Sequence, residues 1–338
     1  MTKMKVLVTG VGGYIGTHVA RELLERGHTV RGTVRDPSDA KKNGHLAKIG
    51  DIELFAADLT TPKSFDEAMT GCDAVMHAAS VVKFSAKDAQ KEIVDVAVEG
   101  TRNVIDSVIR ADNVQRVVQT SSIAAVVDME HDDDYVHTEE DWCASATVQS
   151  DPYALSKTLA EKKAREMCDA LPDGERFTLA AANPAFVLGP VYGPVHLRSS
   201  PTVIEDLYTG KFPLAPNLSF SIVDVRDVAL AHALLLEADD PAPRTILSNG
   251  VLWMRELAAA LRERFPDCKA PKRGMPNALM YAVGLFDKRI EFPFLRDNLD
   301  RARTVDGSFA TKSLGFTYRD IRTAAQDTAA SMVELGFV

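Results

Sequence analysis

The stretch VLVTGVGGYIGTHVA, residues 6–20, constrains the fold more than any other. An apolar run passes through a glycine-rich loop directly into a helical pattern. Gly10, Gly13 and Gly16 form a G-x-x-G-x-x-G spacing, and their missing side chains let backbone N–H groups approach a pyrophosphate at the helix N-terminus. Tyr14 and Ile15 belong to the same candidate cofactor loop. The first 125 residues then repeat the rhythm: HTVRGTVR, IELFAADL, DAVMHAAS and RVVQTSS read as strands, with helical patterns such as THVARELLERG and SFDEAMTG between them. Such alternation predicts an α/β chain with a Rossmann-type, doubly wound parallel sheet.

From about residue 184 the rhythm changes, with Pro and Gly dense in NPAFVLGPVYGP and PDCKAPKRGMPNA. A dinucleotide-binding domain over 1–183 and a smaller C-terminal substrate domain over 184–338 are therefore expected. A segment near 219–238, strand entering helix, is expected to return to the first domain. The 338 residues, 46% hydrophobic, can bury a large core. A net charge of -9 without a long basic run argues against nucleic acid as a partner. Cys72, Cys143, Cys168 and Cys268 lie far apart with no C-x-x-C pair, so neither a zinc site nor a disulfide framework is written here. The apolar run VLV is too short for a signal-peptide core, and VALAHALLLEA at 228–238 is too short for a membrane span. The expectation is a soluble cytoplasmic monomer or homodimer acting on a small molecule, with no membrane partner.

Cofactor choice turns on the end of the second strand. An acidic residue there would bind the adenosine ribose and repel a 2′-phosphate. Here GHTVRGTVRDPSDAKK puts Arg35 at that place and Lys42 just beyond, while Asp36 before Pro37 opens a turn. A guanidinium grips a phosphate bidentately, so Arg35 selects NADP with Lys42 as helper, against the alternative of a solvated basic turn. AADLT offers Asp58 and Leu59 to the adenine, and HAAS offers Ala78, Ala79 and Ser80 for close approach.

Within SDPYALSKTLAEKKA, Tyr153 and Lys157 lie four apart and share one helix face. A phenol titrates near 10 in its reference state, too high for efficient proton exchange at neutrality, and an adjacent ammonium favours its ionised form. A third group must hold the substrate oxygen. VVQTSSIAAV ends a predicted strand in Thr120, Ser121 and Ser122, and strand alternation lets only one serine face the cofactor.

Together TGVGGYIG, TVRDP, TSS and YALSK resemble the extended short-chain dehydrogenase/reductases. The resemblance is strongest to the branch of dihydroflavonol reductases, cinnamoyl-CoA reductases and ketone or aldehyde reductases, over residues 4–230. It implies Ser122 as catalytic serine, Tyr153 as proton donor, and Lys157 as the residue that binds the nicotinamide ribose and biases the phenol. It also implies that NPAFVLGP lines the nicotinamide pocket through Pro184 and Val187. Ile123 and Ala124 follow Ser122 where sugar-nucleotide dehydratases of the superfamily carry acidic residues, which counts against water elimination.

The expected function is NADPH-dependent reduction of a hydrophobic or aromatic ketone or aldehyde. The pocket is expected from Val81 to Phe84, Ile123 to Val127, the VYGPVHLRSSP loop and Met275 to Phe286, with Phe84, Tyr192, Met280 and Phe286 equally able to be core. Rival readings are an alcohol or 3β-hydroxysteroid dehydrogenase working oxidatively, a non-catalytic NADP-binding sensor, and nucleotide-sugar epimerisation. EHDDDYVHTEEDW, 130–142, reads as a solvated loop rather than a metal site, and His18 as a surface or packing residue.

Overall fold

The computed structural model describes residues 2–80, 86–286 and 292–338. Among the described residues there are twelve strands: β1 Lys5–Thr9, β2 Thr29–Val34, β3 Ile52–Ala56, β4 Ala74–His77, β5 Arg116–Thr120, β6 Val136–His137, β7 Thr178–Pro184, β8 Phe186–Leu188, β9 Ser219–Asp224, β10 Arg244–Leu247, β11 Val251–Trp253 and β12 Thr304–Val305. Seven make one sheet in the order β10-β7-β5-β4-β1-β2-β3, every pair parallel. Strand order reverses beside β1, so a crevice opens between the carboxyl ends of β1 and β4. This is the doubly wound Rossmann-type fold expected from the alternation.

Its central strands are buried on both faces, which is why VLV and AVMH read as continuous apolar runs rather than alternating ones. Val6, Val8, Met76 and Val118 point to one side and Leu7, Val75 and Val117 to the other, feeding two separate cores. On the first side α1 (Tyr14–Glu25) packs against the helix Val225–Glu237. On the second, the helices Val96–Arg110 and Pro152–Asp169 pack together.

Beyond β7 the chain builds a second layer, in which β8, β9 and β11 form a three-stranded sheet and β12 pairs with β6. The segment expected to return at 219–238 divides its roles. Strand β9 pairs with β8 and β11, the helix after it packs on α1, and re-entry to the large sheet is made by β10. Among the described residues no helix is long and apolar enough to cross a membrane.

Candidate active site

Six sequence segments singled out above lie at the carboxyl ends of the parallel strands. Gly10 follows β1 with φ +65°, and a Cβ there would sit 2.8 Å from Ala79 Cα, in the loop after β4. At Gly16 a Cβ would come within 2.4 Å of the Gly10 carbonyl oxygen. Both positions therefore need glycine for close approach. Thr17 N–H makes the first intrahelical bond of α1, to Gly13 O at 2.9 Å, which leaves the amides of Tyr14, Ile15 and Gly16 as first-turn donors. A cradle that side chains would fill, closed by free amides at a helix start, fits a dinucleotide pyrophosphate.

The Tyr14 side chain is not part of that cradle. It is buried, and its hydroxyl donates to Gly189 O at 2.8 Å, with burial pushing the phenol well above its usual range. His18 is likewise a packing group, bonded to Pro190 O at 2.9 Å and lowered by burial to about 4.

Arg35 follows β2 and is exposed. Asp36 accepts from the Ser38 N–H at 2.9 Å and its hydroxyl at 2.6 Å, making the turn expected of it. Lys42 lies in the short helix Ala40–Asn43 and pairs with Asp39 at 2.5 Å, so its ammonium already has a partner. Asp58 accepts from Thr60, and those bonds hold its carboxyl below the usual range, with Arg35 adding to the effect. Leu59 packs against Gly100, and its carbonyl accepts from Asn103 at 2.7 Å.

After β4, Ala79 N–H donates to Thr9 Oγ1 at 3.1 Å, drawing the small-residue loop onto β1. Ser80 accepts from the Lys157 ammonium at 3.0 Å. Thr120 ends β5, but its hydroxyl is taken by His232 Nε2 at 2.8 Å, so that side chain serves the core. Pro184 ends β7, and Val187 is buried in β8.

The two serines separate as alternation requires. Ser121 is buried and donates to Glu161 at 2.6 Å, while Ser122 is half-buried, caps the turn Ile123–Ala125 by accepting from Ala124 N–H at 3.1 Å, and shares a hydrogen bond with Tyr153. Tyr153 opens the helix Pro152–Asp169, started by Pro152 and by Asp151 accepting from Ala154 N–H at 2.9 Å. One turn on, Lys157 is 7% exposed and its Nζ lies 5.9 Å from the Tyr153 ring centroid.

The electrostatics differ from the expectation that the ammonium makes the phenol more acidic. Burial raises Tyr153 above its ordinary value, opposed by the Ser122 hydrogen bond and reinforced by Asp151. Burial also lowers Lys157 to about 8, with the Glu161 carboxylate acting against it.

Of the expected pocket, Val81 to Phe84 and the side chain of Phe286 lie outside the described residues. Tyr192 packs at a tilt on His18, ring centroids 4.8 Å apart, and bonds Arg21, and Met280 is core with Leu295 and Leu299. Val126 and Val127 pack with Ile246 and Val305, leaving Ile123 and Ala124 partly exposed beside Ser122. In the acidic loop Asp133 pairs with Arg301 and Arg303. Among the described residues no cluster suits a metal ion. Sequence reasoning missed Glu161, Asn183 and Arg244, which meet beneath Ser122. Only Glu161, at helical spacing from Lys157, carried a local signal.

The pattern of the family described as 3-beta hydroxysteroid dehydrogenase/isomerase matches residues 7–257. A cinnamoyl-CoA reductase of Medicago truncatula is 35% identical, over 98% of this chain and 96% of its own. The bifunctional dihydroflavonol 4-reductase/flavanone 4-reductase of Malus domestica is 32% identical over 79% of this chain and 78% of its own. Among solved structures, yeast methylglyoxal/isovaleraldehyde reductase complexed with NADPH superposes with TM-score 0.82 at 28% identity, covering 99% of each chain. The chain therefore belongs to the 3-beta hydroxysteroid dehydrogenase/isomerase family, within the extended short-chain dehydrogenase/reductases.

Proposed function

We propose that this chain is an NADPH-dependent carbonyl reductase in which Tyr153 protonates the substrate oxygen while Ser122 hydrogen-bonds to it. The single observation that supports this most directly is the contact between Ser122 and Tyr153 at the mouth of the β5 strand, with Lys157 one helical turn behind. The chain is an NADP-dependent oxidoreductase, as its relatives' names and the NADPH-bound neighbour support. The pyrophosphate is assigned to the amides of Tyr14, Ile15 and Gly16, and the 2′-phosphate to Arg35, with Lys42 available once it leaves Asp39. Asp58 and Leu59 face the adenine, Ala78, Ala79 and Ser80 the central crevice, and Pro184 and Val187 the nicotinamide end. Bound there, the cofactor supplies a hydride to the carbonyl carbon.

The protein's share is placement and proton supply. A phenol raised above its ordinary value is fully protonated at neutral pH, as a proton donor must be. As negative charge develops on the oxygen, the Ser122 hydroxyl and the nearby Lys157 ammonium stabilise it. Ile123 and Ala124 give the cleft an apolar wall. We assign the substrate, a hydrophobic or aromatic ketone or aldehyde, to the space between this wall and the 184–338 half.

The test is turnover on a carbonyl panel with NADPH and with NADH. Tyr153→Phe is expected to lower kcat by about 10²-fold or more while NADPH affinity stays within about twofold. Full turnover by that variant would refute the assignment.

A further inference from the structure

We infer that Glu161 is a positioning residue for the reduction: its buried carboxylate locks the strand ends and helix that carry Ser122, Tyr153 and Lys157 into one unit and anchors the lysine's charge. This rests on the roles proposed for those three residues. Glu161 is 1% exposed and four residues beyond Lys157 on the same helix face. One oxygen accepts from the Ser121 hydroxyl at 2.6 Å and from Asn183 Nδ2 at 2.9 Å. Asn183 Nδ2 also lies 3.2 Å from the Ser122 carbonyl oxygen. The serine pair that follows β5 is thus gripped twice, at the Ser121 hydroxyl by Glu161 and at the Ser122 carbonyl by Asn183 of β7.

The other oxygen accepts from Arg244 Nε at 2.8 Å and Arg165 Nη2 at 3.2 Å. Arg244 extends the clamp from β10, donating to the carbonyls of Glu139 at 2.7 Å, Asp141 at 2.5 Å and Ala125 at 3.3 Å. Its guanidinium also lies 3.8 Å from the Trp142 ring centroid. Ala125 belongs to the turn that Ser122 caps, so arginine and carboxylate hold that turn from below.

A purely structural ion pair would leave the reaction's pH dependence alone, but this one faces Lys157. Around that ammonium lie Tyr153 and Glu161 on its own helix, Ser80 after β4, Gln119 and Thr120 on β5 with Ser121 just beyond it, Thr101 on the helix Val96–Arg110, and His77 on β4. His77 is lowered to about 3 by burial first and Lys157 second, so it stays neutral. Asp151 at the helix start acts on Tyr153. Glu161 is the carboxylate acting on Lys157, and it is shared with two guanidinium groups.

The experiment is the pH profile of kcat with NADPH for the whole chain, its Glu161→Gln variant and its Arg165→Gln variant, with melting temperatures measured alongside. Glu161→Gln keeps an oxygen acceptor but loses the charge. It should lose about tenfold in kcat with carbonyl KM changed less than about threefold. Its alkaline limb should move to lower pH by about one unit. Arg165→Gln lies on the outer side of the pair and removes a competing cation, so its alkaline limb should move the opposite way, by about 0.3 unit. An unmoved limb in a folded Glu161→Gln protein, even one with a lower melting temperature, overturns the inference. If that variant does not fold, an unmoved limb in Arg165→Gln overturns it instead. Retained turnover in Tyr153→Phe would strike at the underlying reading, which the unmoved limbs would not.

Discussion

Burying Lys157 as an ammonium destabilises the fold. Its folded pKa of about 8 lies below the ordinary 10.5, so between those values the folded chain binds fewer protons than the unfolded one and stability rises with pH. The penalty is therefore complete below pH 8 and fades as pH climbs towards 10.5. Lys157→Met should melt above the parent at pH 7, by the equivalent of about 2–3 kcal/mol. That advantage should shrink by pH 10 in calorimetry without cofactor, and an equal difference at both values would contradict it. The pairing of Tyr153 with Lys157 was legible because a helix repeats every 3.6 residues. The phenol's balance of burial against charge was not, because desolvation depends on neighbours from other strands.

The loop between β1 and α1 shows how far local sequence can go. Glycine at 10 and 16 was readable as a requirement for close approach, and the clashes a Cβ would meet with Ala79 and with Gly10 O give its cause. Gly16→Ala should push the first turn of α1 away from the loop, raising the Kd for NADPH by about tenfold or more and costing about 1–3 kcal/mol of stability. Fluorescence titration with NADPH and a thermal melt check both, and parental affinity would contradict it. The Tyr14 and Thr120 hydroxyls, in segments expected at the cofactor, bond Gly189 O and His232 Nε2, partners 175 and 112 residues away. No local pattern marks such distant acceptors.

Across the molecule, buried imidazoles join the layers. His18 bonds Pro190 O, His77 pairs with Thr9 between β4 and β1, and His232 links Thr120 to Val228 O. Burial lowers His18 and His232 to about 4, His77 to about 3, and His196 well below its ordinary value. Because these folded values are depressed below the ordinary 6.5, the unfolded chain takes up more protons as pH falls, and stability present above 6.5 is lost progressively towards 4. The melting temperature should drop steeply over that window. His232→Gln should flatten the drop, while an unchanged slope would show that this imidazole takes up protons alike in the folded and unfolded chain.

The sequence by itself determined the layered α/β architecture, the glycine cradle and the helical pairing of Tyr153 with Lys157, since each depends on spacing within one segment. Tertiary structure decided which hydroxyls the core consumes, and it brought Ser122, the serine the resemblance implies, to the phenol. It also brought Asn183 and Arg244 to Glu161 beneath the site. Those outcomes follow from the order of parallel strands, which brings residues from distant segments to one edge of the sheet, where burial sets the strength of every charge and hydrogen bond.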